Sequence, residues 1–419
     1  MPLSTVPMLF ILAGLIFYVV LGGADFGAAL WQISAPRKSD PRTRALRTLA
    51  HDVMSPVWEA NHVWLIFVLT VTWTAYPGAL GSIASTLSIA LSVAAFGIIT
   101  RGAAYATSSG TSDPRELVRI DTLSAIASVL APFALGACVG AIASGRVPYG
   151  NARGNLWTSW LNPTSILIGV LAVVFSAYLA AVYLCADAHR RGHDELVAPF
   201  QRRAIGAGLV AGALALAGLI VLHSDAHALY HQLVSGRGLP ALIVSVVAGA
   251  GTLGLVVAGR YEPARFTAAL AVTAIVVGWA LAQEPRFLPG LTVSEAAASH
   301  DTLVAVIVAV VGGGILLFPA LGLLLRLTLG GTLGHHGEMD HGPAGAEGAV
   351  AALRPGRVAP PFPTPSAARV AVALLVAGFG LLNVADARWA HAIGVVCLIG
   401  AVVVGFLAAV PAWLAPEGG

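Results

Sequence analysis

Charged residues are scarce in this sequence: Asp, Glu, Lys and Arg make up 10% of its 419 residues, whereas 57% are hydrophobic. An ordinary soluble domain carries about 25% charged residues. A soluble chain so poor in charge could not cover its surface, and many hydrophobic blocks are near the ~20 residues needed to cross a bilayer. The composition therefore excludes a soluble globular protein and indicates an integral membrane protein.

Cysteine is also rare, with three residues, Cys138, Cys185 and Cys397. They lie within or at the ends of hydrophobic blocks and have neither C-x-x-C spacing nor a metal-ligand spacing. This excludes a disulfide framework, and we expect small, buried, apolar side chains. The net charge of +3 is too small to indicate a nucleic-acid-binding surface.

Hydrophobic blocks bounded by charge or proline predict eleven membrane spans. They cover residues 6–33, 54–76, 79–100, 120–145, 162–186, 203–222, 239–259, 264–283, 301–329, 368–384 and 389–414. The predicted fold is an all-α, polytopic transmembrane helical bundle with about nine core spans and about two C-terminal spans. The first block is too long, and its flanks too uncharged, for a cleavable signal peptide, so we expect it to be retained as the first span.

Basic residues predict the orientation of the spans. If the N-terminus is outside, 18 of the 23 Lys and Arg residues fall in inner loops. The five in outer loops are Arg146, Arg153, Arg237, Arg286 and Arg388. Such an excess in short loops predicts an N-out, C-in topology.

Residues 331–366 are rich in Gly, Pro, His and Ala, which predicts a flexible cytoplasmic loop between a transmembrane domain, 1–330, and a C-terminal hairpin, 367–419. Two histidine clusters have spacings compatible with a divalent metal. They are His335, His336, Glu338, Asp340 and His341 in this loop, and His223, Asp225, His227 and His231 after the sixth span. We interpret both as exposed polar loops and predict no metal site.

Two carboxylates interrupt hydrophobic spans: Asp25 in the first and Glu59 in the second. Both lie about two turns from the first inner loop, and antiparallel neighbouring helices usually pack together. Ionisable groups inside a membrane are usually functional. The pair therefore fits a proton pathway, with the alternative that hydrogen bonds or an arginine neutralise the acids and they only fasten helices. Glycines beside Asp25 predict close approach of another backbone or polar side chain.

Four neighbouring residues complete this polar region: Trp58, Asn61, His62 and Arg101. Trp58 is expected in an interface belt or in the core. His62 is interpreted as a hydrogen-bonded interior histidine and not as a haem ligand. Arg101, at the inner end of the third span, is either a positive-inside anchor or the partner of a buried acid.

The same segments resemble subunit II of cytochrome bd-type quinol oxidases. Residues 56–65 (PVWEANHVWL) are similar to the family pattern P-x-W-[DE]-x-N-x-x-W-L. Further resemblances, in the family's order over roughly residues 5–330, are 23–27 (GADFG), 100–102 (TRG), 160–165 (WLNPTS), 278–285 (GWALAQEP) and 291–298 (LTVSEAAA).

The resemblance implies a heterodimer in a bacterial inner membrane. Subunit I of that family carries haem b and haem d and binds quinol, whereas subunit II carries no cofactor and helps supply protons from the cytoplasm. It also implies that Asp25, Trp58, Glu59 and Arg101 occupy positions linked to that supply, and that no residue of this chain is directly catalytic.

The sequence departs from the family pattern in three places. Gly22 replaces the first acid of the usual D-G-F-D, Ala106 and Ser108 replace an acid and an arginine after the third span, and two spans follow residue 366. Two alternative functions stay open: a proton- or ion-coupled secondary transporter, and a scaffold paralogue that no longer serves oxygen reduction. Transporters usually show internal repeats, and the sequence has no obvious repeat.

Overall fold

A computed structural model describes residues 2–34, 58–108, 114–329 and 388–409, with short pieces between 369 and 381. The hydrophobic blocks become helices because a backbone in hydrocarbon must satisfy its N–H and C=O groups within its own segment. The longer helices are α1 (Val6–Phe17), α2 (Gly23–Ser34), α3 (Trp58–Ala75), α4 (Pro77–Thr86), α5 (Ser88–Ser108), α6 (Pro114–Ala143), α7 (Pro163–Arg190), α8 (Asp194–Asp225), α9 (His227–Val234), α10 (Leu239–Val257) and α11 (Tyr261–Gln283). They are followed by the short α12 (Val293–Ala296), then α13 (His300–Leu329) and α14 (Arg388–Ala409).

The described part of the chain is all-α, as predicted, apart from a small antiparallel hairpin. Its strands are β1 (Arg286–Leu288) and β2 (Leu291–Thr292). Seven helices in the described residues are long and hydrophobic enough to cross a membrane, or eight if α4 and α5 form one bent span. Shorter apolar helices cover Asn61–Ala75 and Ala392–Ala401. Nine core spans and the N-out topology therefore stay predictions.

The third predicted span, 79–100, is sharply bent. Helices α4 and α5 meet at Leu87 with an angle of 84°, and the prediction that they form one span stays open. Ser82 and Ser85 on α4 accept hydrogen bonds of 2.9 Å from the backbone N–H groups of Gly150 and Ala152. The α6–α7 loop thus holds α4 in place through residues that are distant in sequence.

The sixth predicted span, 203–222, is part of the longer helix α8. The predicted span begins at Arg203, but the helix begins at Asp194. The guanidinium carbon of Arg203 lies 5.3 Å from the centre of the Trp31 ring and 5.5 Å from that of Phe200. An arginine can remain on a helix that continues past the hydrocarbon when aromatic side chains cover it.

Two buried clusters define the ends of the bundle. At the hairpin end, the cluster includes Tyr76, Val147, Trp160, Leu288 and Leu291. At the Tyr261 end, it includes Ala28, Leu184, Leu196, Phe200 and Tyr261. α2 runs toward the Tyr261 end, and the topology prediction puts that end in the cytoplasm.

Contacts divide the chain into two units, residues 1–325 and 326–419. In the second unit, a Cβ added at Gly378 would lie 2.8 Å from the carbonyl oxygen of Gly394, so two helical segments approach closely there. The predicted loop, 331–366, lies outside the described residues, and the three-part domain division stays a prediction. Cys138 and Cys185 are buried free thiols as predicted, and Cys397 is a half-buried one.

Candidate functional site

Asp25 lies in the first turn of α2, directly after a π-helical turn, Tyr18–Gly22, that interrupts the first span. Its side chain is 1% exposed. Single π-turns inside α-helices frequently occur at functional sites. The extra residue of this turn rotates the helix that follows it and so sets the direction in which the Asp25 side chain points.

Glycines bring α7 against this part of α2. A Cβ added at Gly27 would lie 1.9 Å from the carbonyl oxygen of Ser176, and one at Gly23 would lie 3.5 Å from Ser176 Oγ. The first distance is shorter than any real carbon–oxygen contact, so only glycine fits at residue 27. The predicted close approach beside Asp25 is confirmed.

Arg101 on α5 is the partner of Asp25. Its Nη2 lies 2.5 Å from Asp25 Oδ1, and the same nitrogen donates a 2.9 Å hydrogen bond to the backbone oxygen of Asp25. The Arg101 side chain is 10% exposed. Of the two roles considered for Arg101, partner of a buried acid is therefore the one observed.

The second arm of Arg101 is also occupied. Its Nη1 donates to Ser128 Oγ on α6, and the Ser128 hydroxyl donates to the Ser124 carbonyl at 2.6 Å. The guanidinium carbon lies 5.1 Å from the centre of the Phe26 ring, within cation–π range. Arg101 thus joins α5 to α2 and α6. We call Asp25, Arg101 and Ser128 the Asp25 cluster.

Helix α3 covers the π-turn from the other side. Asn61 is buried, and its Nδ2 donates to the Leu21 carbonyl at 3.3 Å. The His62 ring packs edge-on against Tyr18 and Phe26, at centroid distances of 6.0 and 5.9 Å. Both residues therefore lie at the polar region predicted from sequence, while the interpretation of His62 as an interior histidine stays a prediction.

Two oxygen atoms of this region, Asp25 Oδ2 and Tyr18 Oη, are buried and make no hydrogen bond to any residue that the structure describes. A buried unsatisfied polar atom is unfavourable by about 1–3 kcal/mol. Such atoms are uncommon in native proteins and mark strain, catalysis or bound water. The geometry leaves one oxygen of Asp25 able to accept a proton or a water hydrogen while Arg101 holds the other.

Glu59 and Trp58 form the first turn of α3. Their side chains lie outside the part of the chain that the structure describes. The backbone places Glu59 two residues before Asn61, in the turn of α3 that faces the π-turn region. The predicted meeting of Glu59 with Asp25 stays a prediction.

A second aspartate–arginine cluster lies at the hairpin end. Arg146 Nη2 pairs with Asp225 Oδ1, while the Thr164 hydroxyl and N–H donate to Asp225 Oδ2 at 2.6 and 3.3 Å. We call Asp225, Arg146 and Thr164 the Asp225 cluster. The sequence did not predict it, since Arg146 and Thr164 lie 79 and 61 positions away from Asp225.

The polar loop predicted around Asp225 is wrong. α8 continues to Asp225, and α9 begins at His227, so helices replace the loop. His223, His227 and His231 are exposed as expected. Among the described residues, no group of three His, Cys, Asp or Glu side chains could hold a metal ion. The cluster around His335 lies outside them.

A third cluster lies at the Tyr261 end and was also missed. Asp187, at the end of α7, accepts from Arg265 Nη1 at 3.0 Å and pairs with Arg190 at 3.2 Å. Arg190 also pairs with Glu262 at 3.0 Å. These contacts tie α7 to the start of α11.

Comparison with known proteins assigns the chain to a family. Residues 3–328 match the family described as cytochrome bd terminal oxidase subunit II. The chain belongs to this family. It is therefore a multi-pass membrane protein of a terminal oxidase subunit family, and the resemblance seen in the sequence is confirmed. No curated protein matches the chain.

A solved structure shares the fold of this subunit II family member. A chain of the bd oxidase from Geobacillus thermodenitrificans aligns with a TM-score of 0.65 at 22% identity, covering 78% of this chain and 99% of that chain. Identity at this level shows a common fold alone. The family match ends at residue 328, before the predicted C-terminal hairpin.

Two motifs that resemble the subunit II family cap helices. In residues 160–165, the Asn162 side chain accepts from the Ser165 N–H at 3.0 Å and caps α7, and Pro163 occupies its first turn. In residues 291–298, Thr292 and Glu295 form a capping box at α12. The Thr292 N–H and hydroxyl hold the pKa of the Glu295 carboxyl below its ordinary value. These motifs position helices at the hairpin end.

Proposed function

We propose that this chain is the accessory subunit of a cytochrome bd-type quinol:oxygen oxidoreductase. It works as a heterodimer with a subunit I that carries haem b and haem d and binds quinol, and it is not catalytic alone. The match of residues 3–328 to the subunit II family supports this assignment. In the proposal the protein lies in the bacterial inner membrane, with its Tyr261 end facing the cytoplasm.

The proposal includes proton supply from the cytoplasm. Reducing oxygen to water consumes protons, and taking them from the inner side separates charge across the membrane without pumping. The observation that carries this role is the Asp25 cluster, whose ion pair is buried inside the bundle. Asp25 lies about 14 Å along α2 from the end of that helix, since each helical residue rises 1.5 Å. The unpaired carboxylate oxygen of Asp25 supports a role in proton transfer in addition to holding the helices together.

Asp25 and Glu59 would divide the work. Arg101 holds Asp25 Oδ1, and the unpaired Oδ2 is the atom proposed to accept a proton from the path. Glu59 lies at similar depth in the neighbouring helix α3 and is also proposed to take up and release protons. Asn61, His62 and Trp58 would shape the path around them.

One observation favours a different role. An arginine on a buried acid is also what a helix fastener needs, and Gly22 stands where the family usually has another acid. The scaffold alternative therefore remains the second candidate. The bend between α4 and α5 is of a kind found in secondary transporters, but the match of residues 3–328 to the oxidase subunit II family favours the oxidase.

Purification of the full chain with its co-expressed partner tests the proposal. We expect haem b and haem d bands in the reduced-minus-oxidised spectrum of the complex, quinol-dependent oxygen uptake, and no haem in the chain expressed alone. A haem-containing complex without oxygen uptake would support the scaffold role. Stoichiometric haem in the isolated chain would contradict the proposed division between subunits.

A further inference from the structure

Two neighbouring cavities meet at Leu229 of α9. One, of about 220 Å³, lies among the membrane helices, and the other, of about 290 Å³, lies at the hairpin end. Leu229 lines both of them. The same three helices continue from one cavity to the other: α6 from Val139 to Ala143, α9 through Leu229, and α11 from Trp279 to Ala282.

The cavity among the membrane helices, here called the inner cavity, is lined by hydrophobic residues along its whole wall. It extends from Trp279 and Leu233 to Val19 and Phe175, deep in the bundle. The one polar side-chain atom among its lining residues is Trp279 Nε1, which is buried and has no hydrogen-bond partner among the residues that the structure describes. Such a wall suits a hydrocarbon chain. The unpaired N–H favours a ligand that carries a hydrogen-bond acceptor at the outer end of this chain.

The cavity at the hairpin end, here called the outer cavity, is polar and has a positively charged residue, Arg286, in its wall. His227, Gln232, Gln283 and Arg286 contribute side chains to it. Glu284 also lines it, but Arg237 pairs with that carboxylate at 3.3 Å. Arg286 is exposed and forms no ion pair with any other described residue. An anionic group therefore fits this cavity better than a neutral one does.

We propose that the two cavities together bind one phospholipid. Its phosphate lies beside Arg286, one acyl chain fills the hydrophobic cavity, and an ester carbonyl accepts the Trp279 N–H. A phospholipid joins a phosphate, an ester carbonyl and a hydrocarbon chain in this order. The proposal gives a role to the segment 278–285 (GWALAQEP), whose residues 278–279 line the hydrophobic cavity and whose residues 282–285 line the polar one. It does not depend on oxygen reduction.

Native mass spectrometry of the full-length chain with its partner tests the site, using phosphatidylglycerol as the probe after detergent washing. We expect the wild-type complex to retain one phosphatidylglycerol more tightly than the rest. Trp279→Phe keeps the ring and removes the N–H, and should weaken this binding about fivefold, the effect of one lost hydrogen bond. Arg286→Gln should weaken it about tenfold, as for a charge-assisted contact.

Matched controls come from exposed positions away from both cavities. Trp73→Phe and Arg153→Gln should leave phosphatidylglycerol binding unchanged, since Trp73 is 71% exposed and Arg153 is exposed in the α6–α7 loop. Diacylglycerol, which lacks the phosphate, should bind Arg286→Gln and wild type equally. Equal phosphatidylglycerol binding by all four variants and wild type would overturn the proposal, as would a neutral isoprenoid extracted from the site instead of phospholipid.

Discussion

The Asp25 cluster and the Asp225 cluster use the same three chemical groups in opposite ways. Each joins an aspartate, an arginine and a hydroxyl from three different elements. In the Asp25 cluster the hydroxyl accepts from the arginine, which leaves one carboxylate oxygen unpaired. In the Asp225 cluster the hydroxyl donates to the carboxylate, and both of its oxygens are occupied. All polar atoms of the Asp225 carboxylate are thus used to hold helices together, whereas the Asp25 carboxylate keeps one oxygen that can accept a proton.

Burial separates the two clusters further. The side chains of Asp25 and Arg101 are 1% and 10% exposed, whereas those of Asp225 and Arg146 are 14% and 37% exposed. Removing one member of a buried pair leaves an uncompensated charge, which is strongly destabilising. Water solvates and screens a more exposed pair. The same substitution should therefore have different effects at the two sites.

The largest effect is expected for Arg101→Gln, which leaves the Asp25 charge buried. We expect the free energy of unfolding to fall by about 3–5 kcal/mol, seen as a lower thermal midpoint and lower haem content of the purified complex. Adding Asp25→Asn to Arg101→Gln removes the charge and should restore most of the loss. A single variant as stable as the wild type would contradict the buried ion pair.

The matching change in the Asp225 cluster, Arg146→Gln, should be much milder. Because Arg146 is more than a third exposed, we expect a loss of at most about 1 kcal/mol in the free energy of unfolding. Thermal unfolding of the same complex measures it. If Arg146→Gln proved as damaging as Arg101→Gln, burial would not be what distinguishes the clusters.

Removing a hydroxyl should change the free energy of unfolding least, and the change should differ between Thr164 and Tyr18. Thr164→Val removes a donor from Asp225 and should lower the free energy of unfolding by about 1 kcal/mol. Tyr18→Phe removes a buried hydroxyl without a partner among the described residues and should not destabilise the protein. Thermal midpoints compare the two variants, and a large loss for Tyr18→Phe would show that its hydroxyl is satisfied in the complex.

The sequence predicted the features that depend on local composition. The lengths of hydrophobic blocks located most helices. The position of Asp25 inside such a block predicted that this carboxylate lies within a span, and the structure shows it buried. The partner of Asp25 was left undecided, since Arg101 is 76 positions away. It also stands at the inner end of the predicted third span, where an arginine that only anchors the span is equally common.

Features that depend on distant parts of the chain were not predicted. The bend at Leu87 follows no proline or glycine and is held by the α6–α7 loop. The Asp225 cluster joins residues from three elements, and its aspartate was taken for part of an exposed loop. Periodicity and charge patterns carry no information about such contacts.

Oxygen uptake by a complex carrying Glu59→Gln tests the central claim most directly. Glutamine keeps the shape and hydrogen-bonding capacity of Glu59 but cannot carry a proton, and assembly should survive because an amide is less costly to bury than a charge. Since a positioned proton-transfer group typically contributes about 10²–10⁴ in rate, we predict that uptake per mole of haem d falls at least about tenfold. Asp225→Asn, the control, should keep wild-type uptake. Near-wild-type turnover in Glu59→Gln would contradict the proton pathway and leave the Asp25 region as a fastener.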